Sequence, residues 1–200
     1  MFEFLRMTGI FIFTGLLLAG CGTTPKTPTP PPETTPPDDF PPETSVCDPD
    51  AETLPNLEVA SGTYCFLVST TVQGDVTLAP GAQLETIGIT VEGSITGQDA
   101  ASVMLDSAVV SGDVQLEGGE IVELNDSNVG GNLRLVSNRG DVSVSGTGVE
   151  GDVQVSQNTG GVFLDENVVA GDLVCEQNDP VPEGGNNDVS GSKTGQCSTL

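Results

Sequence analysis

The stretch VEGDVQVSQNTGG, residues 149–161, decides the fold, because altered copies of it stand on both sides. VSGDVQLEGGE begins at Val110 and VAGDLVCEQNDP at Val169. The motif opens at Val72, Val91, Val110, Val129, Val149, Val169 and Val189, with successive steps of 19, 19, 19, 20, 20 and 20. Self-similarity at a fixed period of this length marks a solenoid. A further step of 19 back from Val72 reaches Thr53, where TLPNLEV aligns with VQGDVTL and Pro55 and Asn56 replace Gly and Asp. Residues 53–188 then form seven turns, and Val189 opens a short eighth.

Within a turn the apolar residues alternate. Val110, Val114 and Leu116 share one parity, as do Val122 and Leu124, with Ser111, Asp113, Gln115 and Glu123 between them. A period of two places one face inward and one outward, as a β-strand does. Short strands broken by Gly, Asn and Ser, at 19–20 residues per turn, describe an all-β parallel β-helix. Neighbouring turns lie about 4.8 Å apart, so seven make a rod on the order of 34 Å long.

Two registers sharpen this expectation. The third position of the turn is Gly in every copy from Gly74 to Gly191, a corner that needs positive φ or leaves no room for a side chain. The tenth position reads Gly62, Gly81, Ala100, Gly119, Asn138, Asn158 and Asn178. Gly and Asn tolerate the left-handed region, so this position is expected to be left-handed, with Ala100 the exception. Three successive Asn can also stack their amides.

The N-terminal part differs in kind. Residues 1–20 contain an apolar run from Ile10 to Ala19, too short to span a bilayer comfortably and followed by small residues, as in an export signal. LAGC, residues 18–21, resembles the lipobox of bacterial lipoproteins. That resemblance implies diacylglyceryl transfer to the Cys21 sulfur and cleavage before it. Residues 21–46 are dominated by Pro and Thr and are expected to form an extended, disordered stalk without a core. The β-helix domain is assigned to residues 47–200.

With Cys21 assigned to lipid, Cys47, Cys65, Cys175 and Cys197 remain, and three pairings are possible. Cys47 and Cys65 are separated by 18 in sequence, and Cys175 and Cys197 by 22. Each separation is about one turn, which predicts one disulfide at each end of the rod and an oxidising compartment. End turns carry unpaired strand edges, where a cross-link is useful. Pro180 and Pro182 are expected to stop strand pairing in the last full turn.

The C-terminal run resembles the ending of uncharacterised secreted bacterial proteins with a right-handed parallel β-helix. The matching features are Cys175, Asn178, Pro180, Pro182 and the final Gly195-Gln196-Cys197. The resemblance covers residues 47–198 and implies fold and export, with no activity attached. The rod also resembles the bactofilins, polymer-forming β-helices of the cytoplasm, but those lack a lipobox and disulfides.

Catalysis finds little support in the composition. There is no His and no Trp, and the basic residues after Cys21 are Lys26, Arg134, Arg139 and Lys193. A uronate lyase needs a cationic group near the substrate carboxylate, and a glycoside hydrolase needs two carboxylates at a set separation. Turns of 19–20 residues leave no room for the long loops that wall a cleft. Arg134 and Arg139 are the one candidate anion site, with surface charges relieving an acidic face as the simpler explanation. The Asp after the motif Gly forms a broken column from Asn56 to Ser192, a candidate cation strip. Hydrogen bonding to the corner backbone accounts for it without a metal.

Twenty-nine Asp and Glu against five Lys and Arg exclude nucleic acid as a natural partner. The sequence therefore predicts a non-catalytic, lipid-anchored rod on the bacterial envelope, facing an oxidising compartment. It is expected to be monomeric, with no cofactor and no metal. Its partners are the membrane, through lipid on Cys21, and a glycan or protein of the envelope. A carbohydrate-active β-helix enzyme and a rod that polymerises end to end remain the alternatives.

Overall fold

The computed structural model describes residues 47–200. The expected signal peptide, Cys21 and the Pro/Thr-rich segment lie outside the described residues. Those described form a β-solenoid of about eight turns with no helix. Each full turn contributes one strand to each of three parallel sheets, and the short last turn contributes to two. Sheet 1 holds eight strands, sheet 2 eight and sheet 3 seven. In the turn that contains the opening motif these strands are Gly148–Val149, Val153–Ser156 and Val162–Asp165.

Alternation sets the core. Val153 stacks between Leu133 on the turn before and Leu173 on the turn after, 2% exposed, while Gln154 beside it faces outward. The motif register differs from expectation at the first turn only. Val72 pairs with Leu54 rather than Thr53, whereas Val76 pairs with Leu57. The corner between them is one residue shorter in the first turn, because Leu54-Pro55-Asn56-Leu57 spans what Val72 to Val76 spans one turn later.

Three corners close each turn, and each corner bonds along the rod. At the first, between sheets 1 and 2, the motif Gly is required by space rather than by φ. A Cβ on Gly151 would lie 2.5 Å from Asn132 Oδ1 and 2.7 Å from the Gly131 carbonyl oxygen. The Asp, Asn or Ser after the Gly accepts a hydrogen bond from the backbone N–H of the next turn. Asp172 N–H donates to Asp152 Oδ1 at 2.8 Å, and Asp152 N–H to Asn132 Oδ1 at 2.9 Å. The chain of bonds runs unbroken from Asn56 to Ser192.

The second corner, between sheets 2 and 3, corrects the left-handed assignment. Gly62 and Gly81 have positive φ, but from the third turn onward the left-handed residue is one earlier: Asp99, Gly118, Ser137, Gln157 and Gln177. Pro80 occupies that earlier place in the second turn, and its ring forbids positive φ, so Gly81 takes the conformation there. From Ala100 onward the residues assigned to the left-handed region are instead buried. Asn138, Asn158 and Asn178 are buried, and the amide oxygens of Asn158 and Asn178 each accept from the backbone and side-chain N–H groups of the preceding Asn. Buried polar groups are tolerated only when paired in this way.

The change of period has its cause here. Glu117 pairs with Val136, a step of 19, but Val122 pairs with Val142, a step of 20. The extra residue therefore enters the second corner, where Gly119 gives way to Asn138. The widened corner holds the amide, and sheet 3 strands shorten from five residues to four.

At the third corner, between sheets 3 and 1, Ser69, Gly88, Ser107, Asp126, Gly146, Glu166 and Asn186 all have positive φ. The residue after each turns inward, and Asn167 and Asn187 form a second buried amide stack. Their amide N–H groups also donate to Val144 and Leu164 carbonyls.

Disulfides join Cys47 to Cys65 and Cys175 to Cys197, with Cα atoms 5.6 and 5.1 Å apart. Cys65, Cys175 and Cys197 are fully buried. The C-terminal pair fixes Gln196, whose Oε1 accepts from Asn178 N–H at 2.8 Å and Nδ2 at 3.1 Å. Gln196 thus stands where the next Asn of the stack would be, and it ends the series. Pro180 and Pro182 do not stop strand pairing in this turn, because Glu183–Gly185 still pairs with Phe163–Asp165 as the last strand of sheet 3.

Candidate interaction surface

Most sequence-designated polar groups are engaged in structure. The corner carboxylates accept backbone N–H groups of the following turn, and the four described cysteines form the end disulfides. Among the described residues no cluster of three metal-ligating side chains occurs. Cys21, the expected lipid site, lies outside the described residues.

The two arginines do not converge on an anion site. Arg134 lies in sheet 2 and pairs with Glu117 one turn back at 3.6 Å. Arg139 lies in the second corner and reaches Asp99 at 2.9 Å. That contact spans two turns past Gly118, whose missing side chain leaves the path open; a Cβ there would be 2.7 Å from Asp99 Oδ1. Both cations are thus matched to carboxylates of the chain itself. Exposed pairs of this kind are worth at most about 1 kcal/mol.

What remains is the outer surface of the three sheets, and it is uneven. Sheet 1 strands carry one charged residue, Asp188, and sheet 2 strands carry Glu58, Glu117 and Glu176 against Arg134 and Lys193. Sheet 3 strands carry five carboxylates, Glu85, Asp106, Glu123, Asp165 and Glu183, and no cation.

The same face holds all three aromatic residues of the described chain, Tyr64, Phe66 and Phe163. None of them is in the core. The parallel register aligns Phe66 with Glu85, Met104 and Glu123 in one outward column, which continues through Ser143 to Phe163 and Glu183. Apolar and acidic side chains therefore alternate from Phe66 to Glu123 and again from Phe163 to Glu183, with Ser143 between the two runs. Tyr64, Val68 and Ile87 add exposed apolar surface at one end of this face, and Phe163 and Val181 at the other.

Tyr64 is tied into the pattern. Its hydroxyl donates to Glu85 Oε2 at 2.6 Å. That bond, then lost solvent contact, then the carboxylate charge push the phenol above its usual range.

Shallow depressions mark each sheet. One of about 470 Å³ on sheet 1 is floored by Gly130 and Gly148 between Val109 and Val168. One of about 360 Å³ on sheet 2 opens over Gly97 beside Thr77 and Thr96. On sheet 3, one of about 390 Å³ is floored by Ser143 and Gly161, walled by Phe163 and Val181, and rimmed by Glu123, Asp141 and Glu183.

Sequence reasoning did not find this face. Its signal was in YCFLV, residues 64–68, where both parities are apolar: Cys65 and Leu67 turn inward and Tyr64, Phe66 and Val68 outward. The chain matches no protein-family model, no curated protein and no solved structure.

Proposed function

We propose that this chain is a lipid-anchored rod of the bacterial envelope, held through Cys21 and acting as a non-catalytic interaction module. The observation that carries the reading is the use of the polar residues. The repeated corner carboxylates and amides bond turn to turn, and both described arginines pair with carboxylates of the rod. Hydrogen bonding along the rod accounts for the recurrence of these residues at the corners without calling on a substrate. Disulfides at both ends are compatible with an oxidising extracellular compartment.

The test is metabolic labelling with palmitate in a bacterial host. The wild-type chain is expected to take up label and partition with membranes, and Cys21→Ser to accumulate as unlabelled precursor. A Cys21→Ser protein that is processed and labelled normally would sink the reading.

A further inference from the structure

We propose that the outer face of sheet 3 docks a basic, apolar-containing segment of a partner protein; this rests on the interaction-module reading and names the surface and the chemistry of its partner. The five strand carboxylates of this face have no cation among them, whereas sheet 2 balances three with two. Apolar side chains interleave with the charges instead of forming a separate patch. A partner matched to the face must present cations and apolar groups at close intervals.

The depression beside Phe163 fits one such group. A Lys or Arg stem lying over the exposed ring and Val181 would bring its charge toward Glu123, Asp141 and Glu183. Cations are attracted to aromatic faces and to carboxylates alike, and the apolar stem covers the ring. At the other end Tyr64, Phe66 and Ile87 offer a second apolar area around Glu85.

The distance between the two areas selects the kind of partner. Phe66 and Phe163 are in one column, five turns apart, or about 24 Å. A small amine fills one area. An extended segment of about seven residues spans both. A second copy of this chain has the wrong sign for this face, since each carries a net charge of -24. The chain's own Pro/Thr-rich segment has Glu33, Asp38, Asp39 and Glu43 against Lys26, the wrong sign for this face.

The experiment is calorimetric titration of the full-length protein with a synthetic peptide of about ten alternating Lys and Leu residues, roughly 33 Å when extended. It is run near 0.15 M salt, where exposed charges more than about 8 Å apart are screened. Tyr64 is the single tyrosine and there is no Trp, so its emission reports the site directly. The expected result is saturable 1:1 binding with a change in Tyr64 emission. Replacing Glu85 and Glu123 together by Gln should weaken binding by roughly tenfold, as should Phe163→Ser in a protein that still melts like wild type. Replacing Glu58 of sheet 2 and Glu150 of the first corner by Gln, the same charge change away from sheet 3, should alter it by less than about twofold.

Equal losses from both Glu pairs would reduce the effect to diffuse attraction and overturn the proposal. So would equal affinity for a Lys–Ser peptide or for spermine, or a silent Tyr64. If the peptide fails to bind while Cys21→Ser abolishes palmitate labelling, the docking face falls and the anchored rod stands.

Discussion

Asn158→Ala removes the central rung of the longer amide stack. The Asn158 side chain is fully buried and takes part in four hydrogen bonds: it accepts from Asn138 N–H at 2.8 Å and Nδ2 at 3.0 Å, and donates to Asn178 Oδ1 at 2.9 Å and the Leu135 carbonyl at 3.1 Å. Asn178 Oδ1 keeps the Asn158 backbone N–H at 3.1 Å, so it is not orphaned. The two Asn138 donors lose their partner in a site closed to water, and the Leu135 carbonyl, in a strand paired on both sides, loses a second donor. At about 1–3 kcal/mol for each of the two orphaned donors, the loss is about 2–6 kcal/mol. That is a large part of the roughly 5–15 kcal/mol that keeps a domain folded. Asp152→Ala is the control, since it removes one exposed bond, to Asp172 N–H, and should cost about 1 kcal/mol or less. Urea unfolding followed by circular dichroism measures both. Because solenoid stability is a sum over neighbouring turns, hydrogen exchange should show the Asn158 loss concentrated in the flanking turns. Asn158→Asp adds a sign test. A buried carboxylate has its pKa raised, so the folded state binds more protons and the variant regains stability relative to wild type as pH falls. If Asn158→Ala costs no more than Asp152→Ala, the amide stack is not a source of stability.

The remaining expectations use the same register. Val153→Asp should abolish folding, because it buries an unpaired charge between Leu133 and Leu173, whereas Gln154→Asp should shift the melt by less than about 0.5 kcal/mol. Gly151→Val should lose about 2 kcal/mol or more in thermal melts, since its side chain has to displace Asn132 Oδ1 and the Gly131 carbonyl. Non-reducing peptide mapping should recover the Cys47–Cys65 and Cys175–Cys197 pairs, and opening either loop should cost roughly 3 kcal/mol in the chain-entropy model. Absorbance titration of Tyr64 should find a midpoint above the ordinary phenol value near 10, and Glu85→Gln should bring it back down.

The fold was legible because it is written many times. Seven copies of one motif average out local ambiguity, and the alternation around Val153 needed only parity to place it inward. The tenth position was misjudged for a physical reason. Asn is common both in left-handed corners and in buried amide stacks, and a list of Gly and Asn cannot separate the two uses. The change of period from 19 to 20 carried the missing information, since it enters where Gly119 gives way to Asn138. Asn167 and Asn187 gave a weaker signal, with Thr147, Ser127 and Ala108 preceding them in register instead of a run of Asn. The outer face of sheet 3 was harder still. Its property comes from which side chains become neighbours across turns, such as Phe66 beside Glu85, and that needs the register of the third strand, not of the repeated motif.

Gln196 has a consequence for how such a chain can change over evolutionary time. At the second corner Asn138, Asn158 and Asn178 offer the same amide geometry above and below, so duplicating the turn that carries Asn158 leaves both junctions matched there. The terminal Gln and its disulfide close on the turn that carries Asn178 and Cys175, so a turn added before Val169 leaves that closure untouched. Reach is thereby separable from stability: a tandem duplication of one whole turn lengthens the rod by about 4.8 Å and leaves its closure intact. A duplication that reverses strand parity exposes the core residues and is eliminated at folding, whereas one residue more or less is taken up at a corner, as the steps of 18, 19 and 20 show. Length in such a lineage should vary in steps of one turn, with the closing segment held constant.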